Sequence, residues 1–153
     1  MDNLRAALLR PQLADLAARR DAWTARYRGV AAGLDGAPRG ALIPRPVEED
    51  FVGSSFQFRL PGHAPEAIAA IVAAAIARGV DLKWFGAPDP LGYTSRYDHW
   101  RSDAPVRLPR TDAILATLLD MRLPLSFTLE DCALIARILR DVIAAHTARA
   151  AAE

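Results

Sequence analysis

Apolar residues at Leu9, Leu13, Leu16, Trp23, Tyr27, Val30 and Leu34 recur at intervals of three, four and seven, which lays one stripe along a long helix. Arg20 interrupts it. Pro11 lacks an amide donor and clashes with the preceding turn, so the spacing predicts a kink near Arg10 or a short first helix that hands over to a second at Pro11. The pattern stops at residues 33–36. A stripe this long needs a long surface to pack on, and the shorter elements downstream do not supply one. Part of it is therefore expected to face a partner.

Residues 37–50 contain Pro38, Pro44 and Pro46, which suits an extended linker with room only for an edge strand around 41–43. In 54–60, Phe56, Phe58 and Leu60 alternate with Ser55, Gln57 and Arg59, the period of a half-buried strand. Pro61 and Gly62 end it. Pro65 then suits a first helical turn, with Ile68, Ile71, Val72 and Ile76 on one face and Gly79 as the stop. Val80, Leu82 and Trp84 alternate with Asp81, Lys83 and Phe85, giving a second strand reached through a strand-helix-strand connection. Residues 86–105 form a loop too long for a plain connector, and so the segment expected to meet a ligand. A helix opening at Pro109 or Thr111 carries Ile114, Leu115, Leu118 and Leu119, and a short apolar strand covers 122–125. Thr128 and Asp131 have the spacing of a capping box. The last helix buries Leu129, Cys132, Ile135, Ile138, Leu139, Val142 and Ile143, and the alanine-rich tail after His146 frays. The order predicts a small sheet backed by helices.

The 153 residues suit one domain, large enough to bury roughly 70% of its unfolded surface. With 19 basic and 18 acidic residues spread along the chain, there is no charged block to attract nucleic acid or an anionic membrane. The first dozen residues mix charge among the leucines, so neither a signal peptide nor a membrane span is expected. A single cysteine excludes an internal disulfide framework, and three scattered histidines offer no metal-ligand spacing; a reducing cytoplasm fits. Arginine and alanine abundance matches a GC-rich bacterial genome.

The chain holds one lysine, Lys83. As a Schiff-base nucleophile it would need burial or a neighbouring cation, but Asp81 adjoins it and strand alternation puts it on the polar face, where a surface lysine belongs. His99, with Arg96, Tyr97 and Trp100 around it, can orient a sugar or phosphate, Arg96 as clamp and Trp100 as stacking face. The same aromatics can instead pin the loop to the core. Cys132 reads as a buried small hydrophobe, His63 as a polar cap, and His146 as a cation near a helix end. The acids at 48–50 and 130–131 read as solvated linker and helix first turn. No P-loop, dinucleotide fingerprint, nucleophile elbow or Ser-His-Asp grouping occurs.

Three stretches carry a resemblance. MDNLRAALLRPQLADLAARRDAWTARY, residues 1–27, resembles the helix after the cofactor-binding domain in the DegT/DnrJ/StrS family, pyridoxal-phosphate-dependent aminotransferases acting mostly on nucleotide-linked keto-sugars; Met1, Ala6, Ala7, Gln12, Leu13 and Arg26 take the family's positions. Residues 108–139, with Leu123-Pro124 and Thr128-Leu129-Glu130-Asp131, are similar to its closing proline, helix, Leu-Pro pair and capped last helix. Gly79-Val80 followed by a strand and an aromatic loop is similar to its approach to the substrate.

The resemblance implies the carboxy-terminal domain of a fold type I aminotransferase. That is an α+β domain over 1–153, with a small, mostly antiparallel sheet of about three strands packed by helices behind a long N-terminal helix. The family's lysine, phosphate-binding region and ring-stacking aromatic would lie upstream of Met1. Pyridoxal phosphate is then expected in the complete enzyme and not in this chain alone, which carries no catalytic or metal residue. A histidine in place of that upstream lysine would make the relative a sugar dehydratase. Candidate substrate-facing residues are Trp84, Tyr93, Arg96, Tyr97, His99 and Trp100. Expected partners are a second copy or a separately encoded cofactor-binding domain. The alternative is a non-catalytic interaction module that docks through its N-terminal helix onto itself or a partner.

Overall fold

The computed structural model describes residues 2–37, 40–43, 50–89, 91–92, 96–97 and 107–150. Its elements run α1 (Asn3–Ala14), α2 (Leu16–Leu34), β1 (Ala41–Leu42), β2 (Ser55–Arg59), α3 (Pro65–Ala77), β3 (Lys83–Trp84), α4 (Pro109–Leu115), β4 (Leu118–Arg122) and α5 (Leu129–Ala150). The class is α+β, as read from the sequence.

The N-terminal stripe divides at a different residue from the one expected. Asp2 caps α1 by accepting from Arg5 N at 2.8 Å, and α1 runs through Pro11 to Ala14. The chain leaves helical geometry at Asp15, where φ is −93° and ψ is 1°. An aspartate tolerates that departure because its short carboxylate favours caps and turns over helix interiors. Beyond the break, Tyr27, Val30 and Leu34 are buried; before it α1 buries nothing. Leu4, Leu8, Leu9, Leu13 and Leu16 are 44–71% exposed.

Helix α2 crosses α5 along small residues. A Cβ on Gly29 would lie 3.8 Å from Cys132 Cβ, and one on Gly33 only 2.4 Å from Ala136 Cβ, so the backbones approach closely there. Gly33 is thus inside the helix for packing, and the turn falls at Gly36 with φ +74°, a left-handed conformation glycine adopts freely. Arg26 fastens the same crossing: its guanidinium donates to Leu125 O at 2.9 Å and Phe127 O at 2.6 Å, and also to Ala22 O at 2.8 Å. The turn before α5 therefore finds partners for two carbonyls on α2.

The sheet order is β1-β2-β4-β3, with every neighbouring pair antiparallel. Three strands make its body, and the two-residue β1 extends one edge. Since β2 and β3 both run opposite to β4, they are parallel to each other, and the β2-α3-β3 connection leaves a gap that β4 fills. The inner face presents Phe56, Phe58, Leu119 and Met121, which with Ile68 and Ile71 of α3 and Leu139 and Ile143 of α5 form the core. Phe56 lies with its ring centre 5.0 Å from Tyr27 of α2 and 5.9 Å from Phe58, spacings at which aromatic pairs attract.

Several boundaries differ from expectation. Helix α4 ends at Leu115, and Leu118 and Leu119 belong to β4, not to the helix or to a strand at 122–125. Period two wins: Leu119, Met121 and Leu123 are buried in alternation, whereas Ile114 stays exposed. Thr117 closes α4 by donating to Ile114 O at 3.2 Å. Ile76 of α3 and Leu129 of α5, both assigned to buried faces, are exposed; Ala75 takes the inward position in α3. The capping box forms reciprocally, Thr128 N donating to Asp131 Oδ2 at 2.8 Å and Asp131 N to Thr128 Oγ1 at 3.0 Å.

Candidate functional site

Helices cover one face of the sheet. On the other, strand alternation brings out Ser55, Gln57 and Arg59 from β2 and Asp120 and Arg122 from β4. Lys83 of β3 is in register with Asp120, which is in register with Gln57; Ser55 pairs with Arg122 in the next row. Side chains opposite each other across antiparallel strands share a face, with Cβ atoms about 5 Å apart. Ser55, Gln57, Lys83, Phe85, Asp120 and Arg122 line a recess of ≈ 210 Å³, reached by Gly92 from the loop.

The sequence candidates separate. Trp84 is in register with buried Leu119 and packs its ring on the core, its indole N–H donating to Ala116 O at 2.9 Å. Arg96 and Tyr97 converge on Asp112 of α4: Arg96 Nη2 lies 3.3 Å from Oδ1, and the Tyr97 hydroxyl donates to Oδ2 at 3.0 Å. That hydroxyl also accepts from Leu108 N at 3.1 Å. The Tyr97 side chain thereby ties its loop to the start of α4. Tyr93, His99 and Trp100 lie outside the described residues. Lys83 projects from the polar face, as alternation requires.

Other singled-out groups have structural partners. Cys132 is buried, and burial pushes its thiol up, with Arg26 opposing. Two hydrogen bonds from Thr128, backbone first and hydroxyl second, hold the Asp131 carboxyl below its ordinary value. His63 reaches across to α5, its Nε2 3.0 Å from Thr147 Oγ1, instead of capping its own helix. His146 Nδ1 donates to Val142 O at 2.9 Å. Asp50 pairs with Arg20 at 2.9 Å; Glu48 and Glu49 lie outside the described residues. Among the described residues, no three His, Cys, Asp or Glu side chains cluster as metal ligands, and no helix is long and apolar enough to cross a membrane.

No family model and no curated protein matches this chain. In fold it is similar to the crystal structure of 3-amino-5-hydroxybenzoic acid (AHBA) synthase, with TM-score 0.71 and 22% sequence identity. The match covers 92% of this chain and 38% of that one. The chain thus spans well under half of the synthase it resembles.

Proposed function

We propose that this chain is the carboxy-terminal domain of a pyridoxal-phosphate-dependent aminotransferase of the DegT/DnrJ/StrS kind, acting in the cytoplasm on a nucleotide-sugar or similar keto substrate. Alone it transaminates nothing. The observation that carries the reading is the fold likeness over nearly all of this chain to part of a synthase whose product bears an amino group, joined to the motif order in the sequence. The leucine face of α1 supports it: a helix with no buried residue suits a second body, either a cofactor-binding domain or another copy.

Among the described residues, the groups that a cofactor site needs do not come together. Pyridoxal phosphate needs an amine freed by desolvation or a cationic neighbour, together with a phosphate cradle and a pyridinium partner. Lys83, the chain's one lysine, stands half-exposed on the open sheet face with a carboxylate in register opposite. Its surroundings include no glycine-rich phosphate loop among the described residues. Titration with micromolar pyridoxal phosphate tests the reading: no saturable visible absorption band is expected. A band that saturates and vanishes in Lys83→Ala would overturn it.

A second reading is a non-catalytic module that docks through α1 and the start of α2 onto itself or a partner, favoured by the five exposed leucines there. Sedimentation tests docking through this surface: self-association that disappears when Leu9, Leu13 and Leu16 become serine supports a second copy as the occupant, and a monomer in both forms removes self-docking.

A further inference from the structure

We propose that the open face of the sheet is a binding site for a small hydroxylated monocarboxylate, seated over β2, β4 and β3 in the recess beside Lys83. This assignment goes beyond the aminotransferase reading and stands without it.

Three charges meet in that recess. Lys83 and Arg122 are cations, Asp120 is an acid, and their sum is one positive charge, which a monoanion neutralises. Lys83 and Asp120 face each other across β3 and β4, a position where opposite charges ordinarily pair. No ion pair joins them within 4.0 Å, and among the described residues none of the Ser55, Gln57, Lys83, Asp120 or Arg122 side chains has a hydrogen-bonding or ionic partner. Five polar side chains on one small surface thus keep their donors and acceptors for an incoming molecule.

The donor set selects the ligand. Arg122 offers a planar fork that matches a carboxylate, and Lys83 adds a point charge from the neighbouring strand. Asp120, acceptor-only when ionised, sits between them and would repel a bare anion. It welcomes an anion that also carries a hydroxyl, which donates to it. Ser55 and Gln57, in register with Arg122 and Asp120, supply the mixed donors and acceptors that further hydroxyls require. Phe85 gives the recess one apolar wall. A volume of ≈ 210 Å³ equals about seven waters at their liquid share, room for a six-carbon acid.

Gly92 adds a second observation. Its φ is +56°, and a Cβ there would lie 2.9 Å from both Cε and Nζ of Lys83. The loop backbone therefore rests on the end of this side chain, and a residue with no side chain permits it.

Three probes of equal carbon count separate the terms: gluconate, with carboxylate and hydroxyls; hexanoate, with carboxylate alone; and sorbitol, with hydroxyls alone. Inorganic phosphate is the fourth. Amide NMR titrations of the 153-residue chain at low ionic strength are expected to saturate with gluconate, the shifts centred on β2, β3 and β4. Hexanoate and sorbitol should bind about tenfold more weakly or worse, each lacking a charge-assisted hydrogen bond. Lys83→Gln and Arg122→Gln should each weaken gluconate by a similar factor, and Asp120→Asn should abolish the preference for gluconate over hexanoate. Thermal melts check each variant's fold; should Arg122→Gln unfold, Arg122→Lys keeps the charge, loses the fork and is expected to weaken gluconate too. Failure of gluconate to saturate, equal binding of hexanoate, phosphate binding as tightly as gluconate, or indifference to both cation substitutions would each overturn the proposal.

Discussion

Substituting Gly33 with alanine tests the glycine position, among those described, where an added methyl would meet the least room. Alanine is the better helix former by about 1 kcal/mol, so an isolated α2 would gain from the change. In the folded protein the new methyl would stand 2.4 Å from Ala136 Cβ, against the roughly 3.5–4.0 Å at which carbons rest. Both atoms are anchored directly to helix backbones, so no rotamer change relieves the overlap. The crossing itself must open by more than an ångström, disturbing the packing of Val30, Leu34 and Leu139. Overpacking of this kind costs about 1–3 kcal/mol. After the propensity gain, a net loss of about 1 kcal/mol is expected, a fall of roughly 2–4 °C in Tm for a domain this size. Urea unfolding should show a lower midpoint with an unchanged slope. Ala136→Gly, introduced with it, should be less harmful than alone, and the double-mutant cycle should return a coupling of about 1 kcal/mol or more. A Gly33→Ala variant at least as stable as the parent, or a cycle with no coupling, would refute the close crossing of α2 and α5.

Three further outcomes follow from the contacts described. Arg26→Leu strands the carbonyls of Leu125 and Phe127 and should cost about 2–4 kcal/mol by urea denaturation, with Arg26→Lys recovering only part; a neutral Arg26→Leu would show that water serves those carbonyls equally well. The Asp131 carboxyl is held below its ordinary 3.8, so it contributes stability above that pH and loses it as pH falls through the folded value. The stability gap between parent and Asp131→Asn should accordingly shrink with acidification below pH 3.8, and a gap independent of pH would contradict the capping bond. Cys132 is buried and its thiol raised by that burial, so labelling by an aromatic disulfide at neutral pH should proceed only as fast as the protein opens; immediate labelling of native protein would place the thiol elsewhere.

Legibility in the sequence followed how local the deciding interaction is. The alternation in β2 and the Thr128–Asp131 box were readable because partner positions two or three residues apart define them. The end of α4 was not. Leu118 and Leu119 fit a helical period as well as a strand's, and only the neighbours of β4, Phe58 and Arg59 on one side and Trp84 on the other, select extended backbone. Gly33 looked like a helix stop because its reason lies on α5, 103 residues away, and sequence carries no mark of that proximity. Pro11 drew attention as the site of the break, yet the helix absorbs it and parts at Asp15. For the candidate site, alternation placed Lys83 on the polar face, but its company of Asp120, Arg122, Gln57 and Ser55 required the strand order. The long loop suggested Arg96 and Tyr97 as ligand contacts without revealing Asp112, which engages both.

The position of β4 has a bearing on biogenesis. Of the four strands described in this sheet it is the last to leave the ribosome, and the one that occupies the gap between β2 and β3. Until residues 118–122 emerge, β2 and β3 expose unsatisfied backbone edges toward each other, and the nascent chain holds aromatic surface with nowhere to put it. A stalled or nicked polypeptide ending before that point would be a ready target for chaperone capture or proteolysis.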